Sequence, residues 1–123
     1  CYYLKRVPSS FTRLISLNCY WCKNLKEIPS SLVKLEYLDF SYTSVREIPS
    51  SLINLEYLMC SSTSVKEIPE SLINLENLDC SVTSVKEIPK SFIKLQILSY
   101  SPKSIKEIPK ELIKLKTIWK EVS

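Results

Sequence analysis

The chain has 123 residues, 17 Lys+Arg against 13 Asp+Glu, a net charge of +4, and 45% hydrophobic residues. These values describe one ordinary soluble domain. His and Gly are both absent, which removes the commonest general base, the commonest metal ligand and any glycine-rich phosphate loop, so the expectation is a chain that is not an enzyme and carries no cofactor or metal.

In chain order, the first landmark is Val7-Pro8, followed by five Ile-Pro pairs, Ile28-Pro29 to Ile108-Pro109, each 20 residues after the last. The step from Pro8 to Pro29 is 21, which places one inserted residue near Lys23-Asn24. The first full unit runs Leu14, Leu17, Cys19, Cys22, Leu25, Ile28, Pro29, Leu32. The second has Leu35, Leu38, Phe40, Thr43, Val45, Ile48, Pro49 and Leu52, the pattern LxxLxFxxTxVxxIPxxLxx. The third and fourth put Cys60 and Cys80 where Phe40 stands. The fifth runs from Leu95 to Leu112, with Lys103 in the Thr place, and a partial unit follows at Leu115 and Ile118.

In each unit the apolar–polar–apolar step, as in Leu38-Asp39-Phe40, predicts a short strand with one buried face. Such a strand cannot stand alone, but stacked on its equivalents about 4.8 Å apart it joins a parallel sheet. Val45 and Ile48 point inward on the return path, and proline ends any helix there. Each unit thus adds side chains to one core that no unit could bury by itself.

This pattern resembles the leucine-rich repeat, LxxLxLxxNxLxxLP, over roughly Leu4 to Ile118, in five complete units with partial ones at both ends. In phrase it is similar to leucine-rich-repeat proteins of amoebal giant viruses, plant intracellular immune receptors and short-repeat bacterial effectors. The resemblance implies an α/β-class, right-handed curved solenoid with a concave parallel β-sheet and extended or short 3-10 convex segments. The family's Asn, which bonds backbone between coils, is replaced by Cys22, Thr43, Thr63, Thr83 and Lys103. Residues 1–123 form a single domain on this reading. Because the chain opens on Cys1, it is expected to be a processed product or part of a longer protein.

Outward positions of the strands form columns whose residues vary while the framework does not. Tyr20, Trp21, Tyr37, Tyr42 and Tyr57 gather towards one end, with Asp39, Met59 and Asp79 in the neighbouring column. Aromatics of this kind are enriched in interface hot spots, although they also serve to cover one another across strands. The expected function is a non-catalytic module that binds another protein through its concave face. A structural part in a viral or other assembly, with end-to-end contacts, is one alternative. A targeting domain of a larger immune receptor or ubiquitin-ligase effector is the other.

Other features have plainer readings. The Lys-Glu steps from Lys26-Glu27 to Lys106-Glu107 stack into adjacent columns of opposite charge, a solvated face rather than a nucleic-acid groove. Cys19-Tyr20-Trp21-Cys22 is a lone CxxC without two further metal ligands, and the repeat explains both cysteines. Asp39 and Asp79 lie two coils apart, roughly 10 Å by strand spacing, a separation found in inverting glycosidases, but no convergent partners accompany them. Five cysteines are an odd set for a disulfide scaffold. They are expected as thiols, in an intracellular setting such as a host cytoplasm or virus particle, not a secreted one. No apolar run exceeds four residues, so no membrane span is expected. No small-molecule substrate is expected either.

Overall fold

The computed structural model describes residues 4–120. Six strands, β1 (Ser16–Asn18), β2 (Tyr37–Asp39), β3 (Tyr57–Met59), β4 (Asn77–Asp79), β5 (Ile97–Tyr100) and β6 (Thr117–Lys120), form one parallel sheet in chain order. Leu17, Leu38, Leu58, Leu78, Leu98 and Ile118 pair along one row. Successive coils therefore stack in register, and the chain is a solenoid. Each strand begins one residue earlier than the pattern suggests, at Tyr37 rather than Leu38. The buried Phe40 lies just past β2, where its N–H still donates to the Met59 carbonyl at 3.0 Å.

The core follows the repeat. Leu35, Leu38, Val45 and Leu52 of coil two are fully buried, as are Leu55, Leu58, Val65 and Leu72 of coil three. Ser16 pairs with Tyr37, 21 residues on, while Leu25 and Val45 occupy equivalent core places 20 apart. The inserted residue is thus absorbed at Lys23-Asn24, outside the sheet.

The side opposite the sheet is built of turns. No helical segment forms there among the described residues. After each Ile-Pro pair the chain makes two linked turns. Between coils two and three, Leu52 N–H donates to the Pro49 carbonyl at 3.4 Å and Leu55 N–H to the Leu52 carbonyl at 3.2 Å. Serine hydroxyls then tie neighbouring coils: Ser51 Oγ donates to the Ser30 carbonyl at 2.6 Å and Ser71 Oγ to the Ser50 carbonyl at 2.7 Å. These side-chain links satisfy carbonyls that a helix would otherwise bond internally.

Threonine does not replace the family's asparagine between coils. Thr43, Thr63 and Thr83 each donate to a carbonyl three residues back in the same coil, at 2.7 Å. One short hydroxyl reaches its own turn but not the next coil. Part of the inter-coil bonding passes to the following serine, as where Ser44 Oγ donates to the Lys23 carbonyl at 2.7 Å. At Lys103 the corner is rebuilt, with Ile105 N–H donating to the Ser101 carbonyl at 3.1 Å and Lys103 exposed.

The exit turn is strained. Trp21, Tyr42, Ser62 and Val82 have φ of 67°, 59°, 54° and 53°, a region that favours the glycine this chain lacks. Their N–H groups hold the conformation: Trp21 donates to the Ser41 carbonyl at 3.0 Å, Tyr42 to Ser61 at 3.1 Å and Ser62 to Ser81 at 3.0 Å. Val82 donates to Ser101 Oγ at 2.8 Å. Val82 is β-branched and half exposed, so it bears the strain with little packing in return. Val82→Gly is expected to raise unfolding stability by about 1 kcal/mol, the strain relieved exceeding the added unfolded-state entropy. A lower urea midpoint for the variant would contradict this account.

Candidate functional site

Tandem repetition places the candidate residues. The exit turn throws the side chains of Trp21 and Tyr42 outward, and stacking brings them face to face, with ring centroids 4.2 Å apart and planes 5° from parallel. Tyr20 meets Trp21 edge-on at 5.6 Å and Tyr42 at 5.4 Å. Lys23 Nζ lies 5.2 Å from the Trp21 ring centre. Such ring contacts contribute about 1 kcal/mol each beyond area burial, which is comparable to the strain at Trp21 and Tyr42. All three rings remain exposed.

A second pair lies on the sheet face. Tyr37 and Tyr57 are paired residues of β2 and β3, 6.2 Å apart and tilted by 37°. Partial burial and the Asp39 carboxylate raise the Tyr37 phenol above its usual pKa. Asp39 and Met59 pair in the next column. Asp39 Oδ1 accepts the Ser41 N–H at 2.9 Å, and Asp79 Oδ1 accepts both the N–H and the hydroxyl of Ser81, at 3.0 and 2.6 Å. Each aspartate thus caps its own turn. The eight candidates form one ring cluster, one tyrosine pair and a column, not a single pocket.

A shallow groove of about 370 Å³ runs beside them, lined by Tyr42, Asp79, Val82, Ser99 and Trp119, with Lys120 at its far end. Trp119 is 64% exposed. It was visible in the sequence as the last member of the Asp39 column but had no aromatic neighbour there to single it out.

The cysteines offer no site. Cys19 Sγ donates to the Asp39 carbonyl at 3.3 Å, and Cys19, Cys60 and Cys80 are free and buried. Cys22, by contrast, is disulfide-bonded, which corrects the expectation of thiols throughout. Burial first, then the Asp39 charge, pushes the Cys19 thiol up to about 12; burial and Asp79 do the same to Cys80. Cys60 is raised well above its usual value, chiefly by burial. Thiols held protonated in this way are poor nucleophiles. Among the described residues no cluster of His, Cys, Asp or Glu could hold a metal ion. No helix among them is long and apolar enough to cross a membrane.

Residues 34–55 match the family model described as Leucine Rich Repeat. No curated protein matches the chain significantly. Among solved structures, a leucine-rich-repeat protein of Leptospira interrogans is 24% identical, with a TM-score of 0.74 over 97% of this chain and 36% of its own. The functional domain of InlJ from Listeria monocytogenes, which includes a cysteine ladder, is 20% identical with a TM-score of 0.68, over 94% of this chain and 32% of that one. An internalin, InlF, from the same species is 21% identical with a TM-score of 0.70, over 94% and 44%. The chain therefore spans less than half the length of each of these structures, and what it shares with them is the fold.

Proposed function

We propose that this chain, built of leucine-rich repeats, is a non-catalytic module that binds a partner protein through the sheet face and the adjoining exit-turn edge. The observation that carries this reading is the exposed, mutually braced ring cluster of Tyr20, Trp21 and Tyr42. Rings locked against each other lose little side-chain entropy on binding, and their exposure leaves apolar area to be covered. Tyr37, Tyr57, Asp39, Met59 and Asp79 extend the surface along the sheet.

The test is capture of a binding partner by photo-crosslinking from the face itself. Tyr42→Ala with Tyr57→Ala is expected to reduce recovery of the crosslinked partner at least tenfold, since truncating a central aromatic anchor costs about 2 kcal/mol or more. Undiminished recovery would overturn the reading.

A structural part in an assembly is the second reading. Val33, Ile53, Ile73 and Ile93, 40%, 49%, 49% and 54% exposed at equivalent places of successive coils, support it. A monomer by sedimentation at high concentration would count against it. The cellular setting divides in the same way. Free Cys19, Cys60 and Cys80 suit a reducing compartment, and the Cys22 disulfide an oxidising one.

A further inference from the structure

The sheet face differs from the rest of the surface in charge. From Glu36 to Tyr42, Glu56 to Ser62 and Glu76 to Val82, the sheet segments of coils two to four carry five carboxylates and no Lys or Arg. The remainder of the chain must carry +9 to give the net of +4. Glu36, Glu56 and Glu76 stack in one column at the entry edge, where Glu56 N–H donates to the Glu36 carbonyl and Glu76 N–H to the Glu56 carbonyl, both at 2.8 Å. Asp39 and Asp79 stand further along the same coils. On the opposite side the Glu ahead of each Ile-Pro pair has a basic residue before it, as in Arg46-Glu47 and Lys66-Glu67. Within the sheet segments of coils two to four no Lys or Arg offsets the column, although like charges in facing positions destabilise a sheet.

We propose that the partner is basic, an extended segment carrying arginine or lysine across coils two to four. This rests on the sheet-face reading above and names the chemistry of its occupant. The face fits such a segment in three ways. Asp39 and Asp79 use Oδ1 in their own turns, which fixes each carboxylate with Oδ2 left to accept from a cation. Tyr37 and Tyr57 lie in the same coils, and a guanidinium or ammonium is attracted to such ring faces. The groove between Tyr42 and Trp119 contains Asp79 and admits one long side chain. Lys116 and Lys120 of coil six bound the acidic stretch, so the segment's cations lie towards coils two to four.

Fluorescence anisotropy tests this with a labelled peptide of alternating Arg and Ser, against one of alternating Glu and Ser. The Arg peptide binds, more weakly as salt rises, and the Glu peptide does not. The triple variant Glu36→Gln, Glu56→Gln, Glu76→Gln weakens binding by about tenfold, the sum of three solvent-accessible charge contacts. The triple Glu27→Gln, Glu47→Gln, Glu67→Gln changes net charge equally on the opposite side and shifts affinity less than about twofold, as non-contacting charges are screened. Asp39→Asn with Asp79→Asn gives an independent loss should the first triple unfold. Equal losses from both triples, equal binding of the Glu peptide, or no binding of the Arg peptide would overturn the proposal. If the Arg peptide fails while Tyr42→Ala with Tyr57→Ala still abolishes partner crosslinking, the sheet-face reading stands and only the basic partner falls.

Discussion

Leu58→Ala is expected to destabilise the chain by about 3–4 kcal/mol, a large fraction of a typical domain's 5–15 kcal/mol. Leu58 is fully buried and pairs with Leu38 on one side and Leu78 on the other. Its side chain belongs to the interface between coils as much as to its own coil. Truncation leaves a cavity that the flanking leucines cannot fill, because their strands are pinned by the ladder. In a solenoid each coil contacts only its neighbours, so a weak central rung also uncouples the two halves. Urea unfolding should show a lower midpoint and a shallower transition. Leu17→Ala, at a half-buried place in β1, should cost about 1 kcal/mol on the same scale. Equal losses at the two positions would mean that the stack is not the source of stability.

That row of leucines was legible because the repeat states it six times over. A fixed spacing forces equivalent residues into register, so burial, strand order and the place of the insertion follow from counting. Features confined to one coil were harder to read. The left-handed residues Trp21, Tyr42, Ser62 and Val82 carry no glycine to mark them, and their conformation is held by bonds to the next coil. Thr43 looked like a stand-in for an inter-coil asparagine, yet its reach limits it to its own turn. The Cys22 disulfide depends on proximity that no spacing declares. The Glu36, Glu56 and Glu76 column was present in the sequence but spans three coils, against five for the Lys-Glu columns on the opposite side. It gained meaning once the sheet segments of those coils were seen to hold no offsetting cation. The ring cluster was foreseen as a gathering of residues; its stacked and edge-on geometry needed the exit turn.

Stability should fall steeply in alkali through the buried thiols of coils three and four. Cys80 is pushed up to about 12 and Cys60 well above its usual value of 9.0. A thiol raised in the folded state contributes stability that is complete below its unfolded pKa. That contribution is lost as pH rises from about 9 towards the folded pKa, because the unfolded chain releases the proton first. Each thiol then removes about 1 kcal/mol per pH unit, and the two lie side by side, where one thiolate would further oppose the other. The double variant Cys60→Ala, Cys80→Ala should be less stable at neutral pH, since two small core groups are lost. Above pH 9 its stability should decline more gently than the parent's, so that the two curves converge. Parallel curves from urea unfolding across that window would show that these thiols do not govern the alkaline limit. Convergence would tie that limit to one pair of core positions twenty residues apart, where the repeat sets a thiol beside a thiol and burial excludes the water a thiolate needs.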